Sequence, residues 1–437
     1  MNIRVPSLCR HRPAMLCVLV APLLFSLAGC NSDSDDSSDP VARTGSFAES
    51  PVSGINYSGT ATTTGVTDQS GRFSYRDNET ITFAIGDLIL GSADGSERVT
   101  TLAITEGAVS ASDPAVSNRL ILLQTLDEDG DLNNGIQISE AIRTLISDNA
   151  DLIDFDQSTA NFRASLEPLL TELNDSGAFT DTDPRPRTVK TTADVTGFFH
   201  RATSPRVTMT TSGGELRGFE ANDSTWQFLG VPYGKPPLGD LRWRPPQPAE
   251  SWSGIRDAVA WADQSAQDTN LESVNEGGMS EDSLYLNITS PKDASGLPVM
   301  VWFHGGSFSI LSANSKQYNN PDSLTGKGVV LVTVNHRLGP FGYIGHPLLT
   351  EESDYNGSGN YGQMDLVLAL KWVQDNIAAF GGDPDNVTIF GQSGGGGKTY
   401  ALMNSPRATG LFHKAIIQSG SLPPGHPDRT GGVTGRR

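Results

Sequence analysis

Apolar residues are spaced differently in the two halves of this chain. In the second half they form near-continuous runs of strand length at residues 297–306, 328–337 and 386–392. Strands buried on both faces of a parallel sheet have this composition, because helices cover the sheet on each side. The runs therefore predict the central strands of a parallel sheet.

A segment between the last two runs repeats apolar residues at helical spacing. Over residues 362–382 the steps alternate between four and three, which places the apolar residues on one face of a helix, and a glycine pair then stops it. The apolar residues are Leu366, Leu370, Val373, Ile377 and Phe380, and the glycines are Gly381 and Gly382. A strand, a helix and a further strand in succession predict an α/β fold.

The first half of the chain lacks such runs. Residues 51–195 are expected to form an accessory module, with short alternating strands over 51–100 and apolar repeats of helical spacing over 116–175. A polar, proline-containing stretch at 181–192 predicts a linker to the second half. The module carries no recognisable constellation of catalytic side chains.

The N-terminus resembles that of an exported bacterial lipoprotein. Three arginines precede an apolar stretch at 15–27, and the sequence LAGC follows. A basic start, a short apolar run and small residues before a cleavage point make up a secretory signal, and the run is too short to span a bilayer. We predict a signal peptide at 1–29 and a lipidated Cys30 that anchors the protein to a bacterial membrane, with the outer membrane or cell surface favoured.

Composition excludes several classes of function. All three cysteines, Cys9, Cys17 and Cys30, lie in or directly after the predicted signal, so no disulfide is expected after cleavage. Residues 30–50 are rich in serine and aspartate and predict a disordered tether. The formal net charge of −19 argues against a nucleic-acid-binding surface.

One acidic stretch resembles a calcium-binding loop. Asp129, Asp131, Asn133 and Glu140 occupy positions 1, 3, 5 and 12 of an EF-hand pattern. The glycine required at position 6 is replaced by Asn134. An acidic turn between helices explains the stretch without a metal ion, and we favour that interpretation over a calcium site.

The third apolar run leads into a glycine-rich turn. Gly391, Ser393 and Gly395 form the pattern Gly-x-Ser-x-Gly between a predicted strand and a possible helix. In this context the pattern is typical of the nucleophile elbow of α/β-hydrolases, where the serine lies at the tip of a sharp turn above the sheet. We therefore predict Ser393 as a catalytic nucleophile.

The first apolar run ends in HGGSF at residues 304–308. Acyl transfer places negative charge on a carbonyl oxygen, and fixed main-chain N–H groups in such a loop stabilise that charge. We predict that the N–H groups of Gly306, Ser307 and Gly394 form this oxyanion hole. A helix beginning after Ser393 adds the positive end of its dipole.

Residues 207–420 resemble the N-terminal half of type B carboxylesterases, the family that includes cholinesterases and bacterial para-nitrobenzyl esterases. The resemblance rests on FLGVPYGKPPLGDLRWRPP, SEDSLYLNI, LPVMVWFHGGSF, VNHRLGPFGY, GNYGQMDLVLALKWVQDNIAAFGGDPDNVTIFGQSGG and LFHKAIIQSGS. It implies an α/β-hydrolase fold over 196–421, with a mostly parallel sheet that is incomplete at its C-terminal end. It also implies hydrolysis of small-molecule carboxylic esters through an acyl-serine, without a cofactor or metal.

The sequence departs from this family at three positions. Where many members have two cysteines, this chain has Ser265 and Ser283, so the first disulfide of the family is absent. Gln392 replaces the glutamate that commonly precedes the nucleophile. The loss of that carboxylate is expected to affect substrate preference or pH response rather than the mechanism.

The remaining members of a catalytic triad are not identifiable. In α/β-hydrolases an acid and then a histidine follow the nucleophile along the chain. Here His413 falls in a stretch that resembles a structural part of the family, and His426 precedes the only later acid, Asp428. The last two lie in a divergent tail at 422–437, rich in glycine, proline and arginine. This break predicts a fragment, a shifted reading frame or an early stop, and a genuinely divergent terminus is the alternative.

Two functions remain open for the second half of the chain, and a third hypothesis is that the N-terminal module binds a partner or calcium while the second half is inert. The first is a lipid-anchored serine carboxylesterase, of EC 3.1.1 type, which retains only residual activity if no general base is present. The second is a non-catalytic, surface-anchored binding protein built on a hydrolase scaffold. The intact Ser393 turn and the HGGSF loop favour the first function.

Overall fold

In the computed structural model the described residues run from 42 to 420, with gaps at 48, 62, 181–185, 268–277, 316–318 and 321–322. The predicted signal peptide, Cys30 and the tail at 422–437 lie outside the described residues, as do His426 and Asp428. These features stay predictions.

Short strands form the accessory part because alternate side chains face its core. In Thr80–Ile85, for example, Ile81, Phe83 and Ile85 are buried and the residues between them are not. The strands of this part are β1 (Arg43–Phe47), β2 (Val52–Ser53), β3 (Asn56–Gly59), β4 (Thr64–Val66), β5 (Arg72–Tyr75), β6 (Thr80–Ile85), β7 (Leu88–Asp94), β8 (Arg98–Val99) and β9 (Ile136–Gln137). Among the described residues they pair as β4-β3-β6-β7, β5-β1-β8 and β2-β9.

Strand β1 corrects the predicted extent of the tether. Residues 30–50 were expected to be disordered, but Arg43–Phe47 pair with β5 and β8. Phe47 is only 1% exposed and packs edge-on against Phe83. Burial of one aromatic side chain therefore orders the end of a segment whose composition is otherwise polar.

Helices complete the accessory core. They are α1 (Pro114–Thr125), α2 (Glu140–Asp148), α3 (Thr159–Ser176) and α4 (Thr192–Thr203). The first three overlap the region predicted to be helical, 116–175, and extend one or two residues beyond it at each end, and their apolar faces join the same cluster as the strands. Helix α4 was not predicted; it begins at a capping box in which the Thr191 and Asp194 side chains each accept a hydrogen bond from the other residue's backbone N–H.

The second half contains one mixed sheet. Its strands, together with two short paired strands, are β10 (Arg206–Thr211), β11 (Gly214–Asn222), β12 (Thr225–Pro232), β13 (Ile255–Asp257), β14 (Gln264–Ser265), β15 (Met279–Ser280), β16 (Tyr285–Pro291), β17 (Leu297–Phe303), β18 (Val330–Val334), β19 (Gly382–Gln392) and β20 (Lys414–Gln418). The order in the described sheet is β10-β11-β12-β16-β18-β17-β19-β20, with β13 beside β11. Neighbours in the series β10-β11-β12-β16-β18 pair antiparallel, whereas β18, β17, β19 and β20 are parallel, as is β13 beside β11.

Helices on the parallel part of the sheet confirm the predicted α/β class. The helices of this half are α5 (Gly339–Tyr343), α6 (Pro347–Glu352), α7 (Tyr361–Asn376) and α8 (Gly394–Met403), of which α7 and α8 pack against the parallel strands. The five apolar residues predicted on one helical face are all buried. Three of them lie on α7, and Ile377 and Phe380 lie in the 3-10 turn that follows it and ends at Gly381, where φ is 76°. Throughout the described part of the chain, every helix falls short of the length and apolarity needed to cross a membrane.

A hydrogen bond occupies the place of the disulfide expected in the family. The Ser265 and Ser283 hydroxyl oxygens are 2.8 Å apart, and Ser265 Oγ also donates to the carbonyl oxygen of His336 at 2.5 Å. Both serines are buried. A polar contact between residues 265 and 283 therefore joins the two positions that carry cysteines in many members of the family.

The acidic loop after α1 contacts the second half of the chain. Asn133 is 4% exposed, and its Oδ1 accepts hydrogen bonds from the N–H groups of Val259 and Ala260, both at 2.9 Å. Its Nδ2 donates to the carbonyl oxygen of Ala260 at 3.0 Å. Asp131 forms an ion pair with Arg256 at 2.5 Å. This loop therefore joins the accessory part to the sheet.

These contacts give the calcium-like residues another role. The side chain of Asp129 accepts hydrogen bonds from Asn134 and Gln137, while Glu140 begins α2. In the part of the chain that the structure describes, no group of three or more His, Cys, Asp or Glu side chains is arranged to hold a metal ion. The pattern in the sequence is thus explained by contacts within the protein.

We expect Asn133→Ala to destabilise the protein by about 2–4 kcal/mol, because two buried N–H groups lose their acceptor. The control is Asn134→Ala, which changes an exposed neighbour of the same type and is expected to cost about 0.5 kcal/mol or less. Urea unfolding followed by circular dichroism measures both values. Equal effects of the two substitutions would contradict the role assigned to Asn133.

Candidate active site

The two predicted catalytic segments lie at the same edge of the sheet. Strands β17 and β19 are parallel neighbours, and Phe303 at the end of β17 is opposite Gly391 near the end of β19. Each strand therefore delivers its following loop to the carboxyl edge, where α/β proteins bind their ligands. HGGSF and GQSGG meet there.

Ser393 lies between β19 and α8 in an unusual backbone conformation. Its φ is 55° and its ψ is −123°, which L-residues rarely adopt. Its N–H donates to the carbonyl oxygen of Gln418 at 2.8 Å, and its carbonyl oxygen accepts from the N–H of Gly397 at 3.0 Å. These bonds hold the turn on both sides, and the side chain is half-buried at its tip.

Close backbone approach explains two of the glycines in this turn. A Cβ atom on Gly391 would overlap the backbone of Gly395, and one on Gly395 would overlap the carbonyl oxygen of Phe303. A side chain at either position would push α8 away from the sheet. The pattern Gly-x-Ser-x-Gly is thus required by the distance between α8 and the ends of β17 and β19.

The predicted oxyanion donors lie beside this turn. Gly306 and Ser307 have positive φ values of 73° and 56°, and a Cβ on Gly394 would overlap the carbonyl oxygen of Ser307. The backbone after Ser393 is therefore in direct contact with the HGGSF loop. No acceptor among the described residues takes a hydrogen bond from the N–H groups of Gly306, Ser307 or Gly394. These donors are free to bind an oxygen atom of a ligand.

The described histidines do not supply a general base. No histidine or carboxylate in the described ranges makes a hydrogen bond to the Ser393 side chain. His413 Nδ1 accepts from the N–H of Val387 at 3.1 Å. Val387 lies six residues before Ser393 on β19, which is about 20 Å along an extended strand. His346 is exposed and caps α6 through the N–H of Leu348.

Two other histidines lie behind the predicted hole. His304 and His336 are 1% and 0% exposed, and their rings are 4.7 Å apart. Burial, with a further contribution from the nearby Lys398 cation, holds the pKa of each imidazole well below its ordinary value. His304 Nδ1 lies 3.1 Å from the carbonyl oxygen of Gly305, which can only accept. His304 is therefore neutral with its proton on Nδ1.

Lys398 on α8 is completely buried beneath the same loop. Its Nζ donates to the carbonyl oxygens of His304 at 2.9 Å and Gly305 at 3.5 Å. Burial lowers the pKa of this amine to about 7. The lysine was not predicted in the site because lysines are almost always solvated. The sequence signal that Lys398 is buried was its spacing, because the apolar residue Leu402 follows four residues later on the same helical face.

The fold and the Ser393 turn define an α/β-hydrolase-type protein. The sequence profile of the Carboxylesterase family matches residues 204–424, half of the chain, and the chain belongs to this family. The predicted resemblance to carboxylesterases is therefore confirmed.

Curated relatives cover the same half. The chain is 45% identical over 221 residues to fumonisin B1 esterase from Sphingopyxis macrogoltabida, with 50% of this chain and 40% of the relative covered. It is 44% identical over 218 residues to para-nitrobenzyl esterase from Bacillus subtilis (strain 168), with 49% and 43% covered. It is 44% identical over 219 residues to cocaine esterase from Homo sapiens, with 47% and 38% covered. The matched region thus spans about two fifths of these relatives.

Solved structures match over the same range. The carboxylesterase of Geobacillus stearothermophilus at pH 6.2 is 42% identical, with a TM-score of 0.45 and coverage of 49% of this chain and 44% of that chain. Juvenile hormone esterase from Manduca sexta is 37% identical, with a TM-score of 0.46 and coverage of 50% and 41%.

The buried amine of Lys398 predicts a specific dependence of stability on pH. Its pKa is 10.5 in the unfolded chain and about 7 in the folded protein, so between these values the unfolded chain binds more protons. The contribution of Lys398 to the free energy of unfolding therefore rises with pH across this window and is lowest below pH 7.

We expect the difference in unfolding free energy between wild type and Lys398→Met to rise by about 2 kcal/mol from pH 7.5 to pH 9.5. Urea unfolding at several pH values measures it, and other titrating groups cancel in the difference. Lys371→Met, which removes an exposed lysine, is the matched control. A difference that stays constant over this range would contradict the buried position of the amine.

Proposed function

We propose that this chain provides the nucleophile and oxyanion hole of a serine carboxylesterase acting on small-molecule carboxylic esters. The observation that carries the proposal is the strained turn at Ser393, which lies against the backbone of the HGGSF loop. Membership of the carboxylesterase family supports it, and the relatives named above are all esterases. The names of these relatives agree only that the substrate is an ester, so the proposal does not specify the acid part or the alcohol part of the ester.

The proposed chemistry begins at Ser393 Oγ. The oxygen attacks the ester carbonyl carbon, a new C–O bond forms, and the electron pair of the carbonyl π bond moves to its oxygen. The N–H groups of Gly306, Ser307 and Gly394 donate to that oxyanion without reorganising, which lowers the barrier. Collapse of the intermediate breaks the bond to the alkoxide, which leaves with a proton and gives an acyl-serine that water then hydrolyses.

The proposal requires a base to take the proton of Ser393. None of the described histidines makes a hydrogen bond to the Ser393 side chain, so we propose that the base and its supporting acid lie outside the described residues. The parallel strand β20 is the edge strand among the described residues, and Ile416 and Ile417 on it are 42% and 36% exposed. A further segment that packs against this edge would bring its own loop ends to the carboxyl edge where Ser393 lies.

Covalent labelling tests the nucleophile. We expect a fluorophosphonate probe to label the folded protein at Ser393, slowly if the base is absent, because the oxyanion hole alone still accelerates attack. Ser393→Ala is expected to reduce labelling to background, whereas Ser309→Ala, an exposed serine of the neighbouring loop, retains it. Intact-protein mass spectrometry and peptide mapping measure both. Folded wild type that stays unlabelled, or labelling that survives Ser393→Ala, would refute the proposed function.

A further inference from the structure

Lys398 is an unusual residue in the core of this site. Its side chain has no exposed surface, and its ammonium or amine nitrogen contacts two main-chain carbonyl oxygens of the HGGSF loop. The ring of Phe308 in the same loop lies 5.6 Å from Nζ. The lysine therefore connects the second turn of α8 to the loop that carries two predicted oxyanion donors.

The planarity of the peptide bond transmits the effect of this contact. In a trans peptide the C=O and N–H groups point in opposite directions. The carbonyl oxygen of Gly305 and the N–H of Gly306 belong to one peptide plane, so a donor that holds this oxygen also fixes the direction of the N–H. Lys398 Nζ at 3.5 Å and His304 Nδ1 at 3.1 Å both hold it from the buried side.

Without such donors this peptide could rotate. It lies between two glycines, which restrict backbone rotation least, and Gly306 already has a positive φ of 73°. A rotated peptide would present a carbonyl oxygen to the reacting centre in place of an N–H donor. The shorter contact, from Nζ to the carbonyl oxygen of His304 at 2.9 Å, holds the peptide between His304 and Gly305. It therefore limits backbone rotation on the N-terminal side of the Gly305–Gly306 peptide.

Packing alone does not account for a lysine at this position. An apolar side chain of similar size would fill the space without the cost of burying an amine. Only a donor satisfies the carbonyl oxygen of His304 and adds to the contact that His304 Nδ1 makes with the carbonyl oxygen of Gly305. A neutral amine still carries two N–H bonds for this purpose. The contact therefore persists whether or not the nitrogen is protonated.

We propose that Lys398 is a positioning residue that fixes the Gly305–Gly306 peptide, so that the N–H of Gly306 is directed towards the oxyanion formed at Ser393. This inference rests on the proposed function, because it assigns a task within the same site. It concerns the oxyanion hole and is independent of the base.

Phenylboronic acid provides a test without turnover. It forms a tetrahedral adduct with a nucleophilic serine, and one of its oxygens occupies the oxyanion hole. We expect boron-11 NMR to show this adduct with wild type and not with Ser393→Ala. Lys398→Met should weaken adduct formation about 10-fold or more, an effect smaller than the roughly 10²–10³-fold cost of losing one oxyanion donor outright, because the Gly306 N–H itself remains. Lys398→Gln keeps an N–H donor and is expected to fall closer to wild type.

A second measurement uses wild type only, so it does not depend on whether a variant at position 398 folds. In wild type labelled with nitrogen-15, adduct formation should shift the Gly306 amide signal and the Lys398 Nζ signal together, because one peptide joins them. A merely structural lysine would leave its Nζ signal unmoved.

The outcomes separate the two proposals. If Lys398→Met forms the Ser393-dependent adduct with an affinity for phenylboronic acid within about 3-fold of wild type, the role of Lys398 is overturned. An unshifted Nζ signal also overturns it. Either result leaves the proposed function intact. Absence of any adduct in folded wild type, together with absence of fluorophosphonate labelling, overturns both.

Discussion

The backbone of Ser393 imposes the constraint on which the rest of this site depends. A φ of 55° with a ψ of −123° costs a residue with a side chain about 1–3 kcal/mol, so the surrounding structure has to hold it. Strand β19 enters the turn in register with β17, α8 leaves it, and β20 accepts the N–H of Ser393 through Gln418. Three parallel strands and one helix thus converge on a single residue.

Buried polar groups around the turn stabilise the loops that surround it. Arg337, just after β18, donates to both carboxylate oxygens of Asp365 on α7 at 2.9 and 2.6 Å, and both side chains are at most 3% exposed. Such a pair is costly to break, because one charge would be left buried alone. The buried contacts of Lys398 and of the Ser265–Ser283 pair likewise hold other loops in place. The apolar strands form the sheet, and these polar contacts fix how its loops meet.

Much of this arrangement could be predicted from local sequence. Strands β17 to β19 were predicted from their apolar runs and α7 from its spacing, because burial on one or two faces leaves a regular pattern. The Ser393 turn was recognisable because its close backbone approach allows only glycine at two positions. These features depend on residues near one another in the chain.

The features that could not be predicted depend on distant partners. From the sequence alone, a lysine or an asparagine is predicted to lie at the surface, because the carbonyl and N–H groups that surround it in the fold are not known. Lys398 contacts His304, 94 residues away, and Asn133 contacts Ala260, 127 residues away. The same reason explains β1, whose single aromatic residue is ordered by the accessory core.

The central claim is that Ser393 and the three main-chain donors form one acyl-transfer site. A crystal structure of the protein after reaction with a phosphonate ester tests it most directly. We predict phosphorus bonded to Ser393 Oγ and a phosphonyl oxygen about 2.7–3.1 Å from the nitrogens of Gly306, Ser307 and Gly394. Phosphorus on another residue, or a phosphonyl oxygen directed away from these nitrogens, would contradict the account.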